Sequence, residues 1–141
     1  MIEVVNRQRR RYVDAGRWKD FVGRALQAIG RKDEGAAVVF VSDRAMRDLN
    51  RRFRGRDVTT DVLSFPAGQT EFEKIADANM GDVVISLERA EAQAAEHGLG
   101  FEEEVSQLIL HGLLHLCGYD HETDNGEMNR LELRLRRRLG I

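Results

Sequence analysis

The sequence predicts one α+β domain with about four strands and about five helices. Short apolar runs of strand type are interleaved with longer stretches whose apolar residues recur at helical spacing. The only proline is Pro66, and there is no repeat or low-complexity tract, so no linker divides residues 1–141. A chain of 141 residues can bury one core, and 42% hydrophobic against 33% charged residues is the balance of a globular domain rather than a disordered one.

The elements follow in order. Ile2-Glu3-Val4-Val5 reads as the first strand. Trp18, Phe21, Val22, Ala25, Leu26 and Ile29 share one helical face, and Gly30 supplies a C-cap. Ala36 to Val41 is a second, wholly apolar strand. Ser42-Asp43 then offers an N-cap for a helix through Met46, Leu49 and Phe53, because a side-chain oxygen can accept from the unpaired N–H groups there. Arg51 to Asp57 reads as a polar, glycine-bearing loop. Asp61 to Phe65 is a third strand stopped by Pro66, which cannot donate to a ladder. A looser stretch from Ala67 to Asn79 leads to a fourth strand, Asp82 to Ser86. Leu87 to His97 is helical, and His97, beside Gly98, reads as a helix-end residue near exposed carbonyls. A long helix from Phe101 to Cys117 carries Glu102, Glu103 and Glu104 in its first turn, where negative charge suits the helix dipole. Gly118 ends it, and a last helix runs from about Thr123 to Leu139. The spacing of the first elements permits parallel pairing, but strand order is not readable.

Charge is divided unevenly. The net −2 comprises net +7 over residues 1–60 and net −9 over residues 61–141. One reading of the basic half is a polyanionic partner; the other is arginines that are ion-paired or solvated. No run approaches the roughly 18–20 apolar residues of a membrane span. The apolar start precedes Arg7, Arg9, Arg10 and Arg11, the reverse of a secretory signal, and Cys117 is the lone cysteine, so a cytoplasmic protein is expected.

The chemistry is concentrated in His111-Gly112-Leu113-Leu114-His115-Leu116-Cys117-Gly118-Tyr119-Asp120-His121. Four residues along a helix turn through about 400°, so His111 and His115 leave one face about 40° apart and can bind one metal together. Gly118 can turn the chain sharply, and His121 then returns as a third ligand. Three protein ligands leave a fourth tetrahedral position for water, which predicts a metal-dependent hydrolase with one zinc ion at the end of the long helix. Cys117 lies about 240° round the helix from His111 and reads as a small core residue. In zinc peptidases of His-Glu-x-x-His type, glutamate follows the first histidine. Gly112 stands there instead, for close backbone packing or to admit a bulky substrate, so peptidase is a disfavoured reading.

That block, with Arg54-x-x-Asp57-x-x-Thr60-Asp61-Val62-Leu63-Ser64-Phe65-Pro66 and Gly81-Asp82-Val83-Val84-Ile85-Ser86, resembles the YbeY family of bacterial zinc-dependent endoribonucleases and ribosomal-RNA maturation factors. The likeness runs from about Asn50 to Gly126, with compatible element order on either side. It implies a metal in a cleft between sheet and helices, held by His111, His115 and His121, with Arg54 lining the substrate cleft. It also implies cleavage of single-stranded RNA, maturation of the small-subunit rRNA 3′ end, ribosome quality control, and the ribosome with its assembly proteins as partners; neither DNA nor a membrane is expected. The competing reading is a non-catalytic RNA- or ribosome-binding factor with a structural zinc. Arginine suits phosphodiester cleavage because its planar fork stays protonated and donates bidentately, so Arg54 is the expected catalytic cation. Arg47, Arg51 and Arg54 are spaced i, i+4, i+7 and form a basic substrate-binding stripe if helix persists that far. Asp61 has a backbone-capping reading; Asp82 could brace a strand end or a metal-bound histidine; Asp120 could hold the turn or accept from a ligand. Aromatic residues are only 6%, so base stacking is expected to contribute little to readout.

Overall fold

The computed structural model describes residues 1–67 and 80–141; most of the looser stretch expected before the fourth strand lies outside the described residues. Strands β1 (Ile2–Asn6), β2 (Ala36–Val41), β3 (Val62–Pro66) and β4 (Gly81–Ser86) form one sheet in the order β1-β2-β4-β3. β1 and β2 pair in parallel, as do β2 and β4, whereas β3 runs antiparallel to β4 along one edge. The helices are α1 (Ala15–Ile29), α2 (Asp43–Arg54), α3 (Leu87–His97), α4 (Phe101–Leu116) and α5 (Glu127–Leu139).

Both central strands, β2 and β4, are buried along their whole length, which is why they read as unbroken apolar runs. Successive side chains of a strand point to opposite faces. Val38 and Phe40 of β2 therefore join Val83 and Ile85 under α1, α3 and α4. Val39, Val41 and Val84 join Leu63 and Phe65 under Met46 and Leu49 of α2. A smaller cluster of Leu110, Leu114, Met128 and Leu135 seats α5 on α4.

Two boundaries differ from expectation by more than one residue. α2 continues to Arg54 before Gly55 caps it in the left-handed conformation, so the polar loop begins later and Arg47, Arg51 and Arg54 share one helix. α5 begins at Glu127 rather than near Thr123 because Asp124 organises the preceding turn, accepting from the N–H groups of Gly126 and Met128.

Gly112 is explained by packing. A Cβ there would lie 2.5 Å from Val83 Cγ1 and 3.2 Å from Ser64 Oγ, and the Ser64 hydroxyl donates to the Gly112 carbonyl at 3.0 Å. The backbone of α4 thus rests directly on the sheet, and a glutamate would not fit at this position. Alanine normally gains about 1 kcal/mol over glycine inside a helix. Here Gly112→Ala is expected to lower stability by about 1–3 kcal/mol, the range for overpacked cores. Thermal unfolding would show it, and a raised melting temperature would contradict the tight approach.

Candidate metal centre

His111 and His115 sit one turn apart near the end of α4, and the cap of that helix builds the rest of the site. Gly118 adopts φ +96°, its N–H donates to the His115 carbonyl at 3.0 Å, and the Tyr119 N–H donates to the Leu114 carbonyl at 3.2 Å. This is the paired bonding of a Schellman cap, which needs a residue tolerant of positive φ. It aims the Tyr119 carbonyl back at the helix, where it accepts from His115 Nδ1 at 2.9 Å. Asp120 then holds the following turn: its side chain accepts from the Glu122 N–H at 3.0 Å and its carbonyl from the Thr123 N–H at 3.2 Å. His121 is carried back over the helix end. The three imidazole centroids stand 4.7, 5.5 and 5.4 Å apart, and one ligand atom from each falls within 4.8 Å of the others.

Proton placement at two of the rings is forced. The Tyr119 carbonyl can only accept, so His115 carries hydrogen on Nδ1. His111 Nδ1 meets Glu132 Oε1 at 2.7 Å, and Glu132 Oε2 accepts from Arg136 Nη2 at 2.6 Å. Burial opposes ionisation of Glu132, but the hydrogen bond to His111 and the Arg136 guanidinium outweigh it and hold the carboxyl below its ordinary range. An ionised carboxylate also only accepts, so His111 carries its hydrogen on Nδ1 too. Both Nε2 atoms are then lone pairs in the neutral rings, and they face each other at 3.1 Å. Two lone pairs so close repel unless a cation lies between them. Tetrahedral zinc with Zn–N of about 2.0–2.1 Å sets nitrogens about 3.3 Å apart, so the donor set fits such an ion. Burial pushes the His115 pKa down despite the Tyr119 bond, which favours the neutral ring a metal needs.

Around the histidines lies an open cleft of about 730 Å³, lined also by Arg54, Arg56, Thr60, Asp61 and Ser64. Arg54 Nη2 donates to the Ser64 carbonyl at 3.0 Å, and its guanidinium carbon lies 5.7 Å from the Phe65 ring centre. Buried Asn50 fixes the intervening loop by donating to the Val58 carbonyl at 2.9 Å. Arg47 and Arg51 share α2 with Arg54 but are not brought to the cleft wall: Arg47 pairs with Asp57 at 2.9 Å and Arg51 with Asp48 at 2.5 Å.

The remaining expectations divide. Asp61 accepts from the Val62 N–H at 2.8 Å, the capping reading. Asp82 is buried in β4 opposite Phe65. The brace on His111 is Glu132, not Asp82. His97 meets the Glu104 carboxylate at 2.7 Å rather than carbonyls. Cys117 is half-buried against the main core, and burial pushes its thiol up.

Glu132 is a functional side chain that the histidine spacing does not reveal, although the sequence carries a signal for it. It stands among Met128, Leu131, Leu135 and Leu139, a carboxylate on the apolar face of an amphipathic helix. Glu132→Gln keeps the shape and a hydrogen-bond acceptor but removes the charge that sets the tautomer of His111. Metal affinity, measured by chelator competition, is expected to weaken about 10–100-fold. A carboxyl held below its ordinary range stabilises the fold above that range and loses this contribution as pH falls through its native pKa. Metal-free wild type should therefore lose stability on acidification more steeply than the variant; parallel curves would exclude the ionised brace.

A model of the family described as Endoribonuclease YbeY matches residues 3–140. A relative from Koribacter versatilis, named endoribonuclease YbeY, is 48% identical over 121 residues, covering 86% of this chain and 74% of its own. One of the same name from Geobacter metallireducens is 37% identical over 136 residues, covering 96% of this chain and 91% of its own. Among solved structures, the solution structure of a Thermotoga maritima protein superposes with a TM-score of 0.65 at 26% identity, covering 99% of this chain and 89% of that one.

Proposed function

This chain belongs to the YbeY family, and from that premise we propose that it is a zinc-dependent endoribonuclease acting on single-stranded RNA. Its place is in maturation of small-subunit ribosomal RNA and in ribosome quality control, with the small subunit and its assembly proteins as partners. The compartment is the cytoplasm, a reading compatible with the finding that no helix among the described residues is long and apolar enough to cross a membrane.

The observation that carries the reading is the pair of opposed lone pairs on His111 and His115, joined by His121, in a cleft whose other wall is cationic. A bound divalent ion supplies Lewis-acid polarisation of a phosphoryl oxygen and lowers the pKa of water. The chain's own residues do the rest. Glu132 and the Tyr119 carbonyl fix the ring orientation of two ligands and so set where the reacting phosphate must sit. Arg54 offers its fork to the charge that develops on the phosphorus oxygens, and its bond to the Ser64 carbonyl limits its swing. Arg56 adds a second cation on the same wall. Arg47 and Arg51, tied to aspartates outside the cleft, contribute at most to long-range attraction of the polyanion. Peptide hydrolysis is disfavoured because the position after His111 has no room for a side chain.

The test is elemental analysis of purified protein together with cleavage of a single-stranded RNA before and after chelation. One equivalent of zinc, loss of cleavage on chelation and recovery on adding zinc back are expected. Robust cleavage by verified metal-free protein would end the proposal. Zinc without cleavage, in protein that still binds ribosomal RNA, would instead establish the non-catalytic binding factor.

A further inference from the structure

The cleft has a second lobe whose chemistry differs from the first. Behind His111 lies a cavity of about 570 Å³ that shares Asp61, Val62 and His111 with the arginine-walled lobe. Leu99 and Leu108 give it apolar wall, and Gln93 of α3 and Gln107 of α4 line it with half-buried side chains. Neither amide hydrogen-bonds to a described residue. The buried carboxylates here are already committed, Glu104 to His97 and Glu132 to His111 and Arg136 Nη2, although Arg136 Nε is buried without a partner among the described residues. With Asp61 they make three carboxylates against Arg136, so the lobe repels phosphate.

We propose that this lobe receives the nucleobase adjoining the scissile phosphate, read along its edge by the side-chain amides of Gln93 and Gln107. The inference rests on the reading of the site as an RNA-cleaving one and orients the substrate within it. A strand crossing the histidines has its phosphates drawn towards Arg54 and Arg56, so what enters the opposite lobe is an uncharged group. The volume lies in the range of small-molecule pockets. Each glutamine presents two donors and a carbonyl acceptor, the complement of a base edge, and glutamine pairs bidentately with adenine. Among the described residues no phenylalanine, tyrosine or tryptophan lines the lobe, so recognition is by hydrogen bonding against aliphatic wall rather than by stacking.

Two experiments test this, one of them without catalysis. Adenosine, uridine and inorganic phosphate are titrated separately into ¹⁵N-labelled full-length protein. Saturable shifts of the Gln93 and Gln107 side-chain amide signals are expected with at least one nucleoside and not with phosphate. Absence of nucleoside shifts, or equal shifts with phosphate, overturns the proposal. Next, cleavage is compared on RNA oligonucleotides that differ by one base beside the cleaved bond. Wild type should separate the best from the worst base by about fivefold or more in KM, the lower end for one bidentate contact. In Gln107→Leu that ratio should fall towards one. Equal KM for all bases at both flanking positions would overturn the base subsite while leaving the nuclease standing. Nucleoside binding in a protein that cleaves no RNA would support the lobe and remove the nuclease.

Discussion

His115→Ala is expected to abolish stoichiometric zinc binding and to lower RNA cleavage about a thousandfold or more. Lewis-acid stabilisation of a transition state is worth several kcal/mol, and each tenfold in rate corresponds to about 1.4 kcal/mol. The loss has a specific origin. His115 lies 3.1 Å from His111 through the Nε2 atoms, 5.4 Å from His121 between ring centres, and is one of the two helix-borne ligands. Removing it leaves one helical ligand and one exposed loop ligand and loses the close helix-borne pair. His121→Ala should do less, because the helix-borne pair and both of its braces remain; weak metal binding ought to persist, with cleavage recovering in part at high zinc. Folding is not the issue in either variant. The His115 side chain gives up one bond to the Tyr119 carbonyl, worth about 1 kcal/mol net. Metal content by elemental analysis, melting temperature of the metal-free proteins and cleavage rate together separate the alternatives. A His115→Ala protein that retains one tightly held zinc and normal cleavage would remove the histidine cluster from the chemistry.

Much of this site could be read directly from the sequence, and the parts that could not share a physical reason. The i, i+4 spacing of His111 and His115 is local, since any helix places them on one face. Gly118 is local as well, because only a residue tolerant of positive φ makes the cap that turns the chain there. The central strands announced themselves by unbroken apolar runs, and Gly30 marked the end of α1. Sheet order was not legible because β2 pairs with β4 across the whole of α2 and β3, a choice made by packing between distant segments. Glu132 escaped for the same reason: its partner is 21 residues away, and only the seating of α5 on α4 brings the two together. Gly112 shows the limit most clearly. Its sequence context left open packing against the sheet or room for substrate, and the choice depended on Val83 and Ser64, which lie on other elements. The polar composition of residues 51–57 suggests a loop around Arg54, yet it is the last residue of α2, and Gly55 rather than the arginine run marks the true end. That shift matters, because a helix terminus holds a side chain more firmly than a loop does.

Arg54→Ala should then cost about 10²–10³ in kcat, the range seen when one preorganised donor to developing negative charge is removed, while zinc content stays at one equivalent. Three features argue for an effect on turnover rather than on binding alone. The guanidinium belongs to the wall facing the histidines, so a phosphate held between them meets both. Its bond to the Ser64 carbonyl and its place near the Phe65 ring reduce the reorganisation required at the moment charge develops. Asp48, which pairs with Arg51 and Arg52, and Asp57, which pairs with Arg47, are not among its partners. Arg54→Lys is the sharper comparison. It keeps the charge and most of the long-range attraction, so KM should move little, but it replaces the planar fork with a compact ammonium that lacks the fixed bidentate match to two phosphate oxygens. A kcat for lysine between those of arginine and alanine is expected, with unchanged melting temperature because the residue is exposed. If kcat survives alanine and only KM rises, Arg54 attracts RNA without assisting the reaction, and the developing charge must be met by Arg56 or by the metal alone.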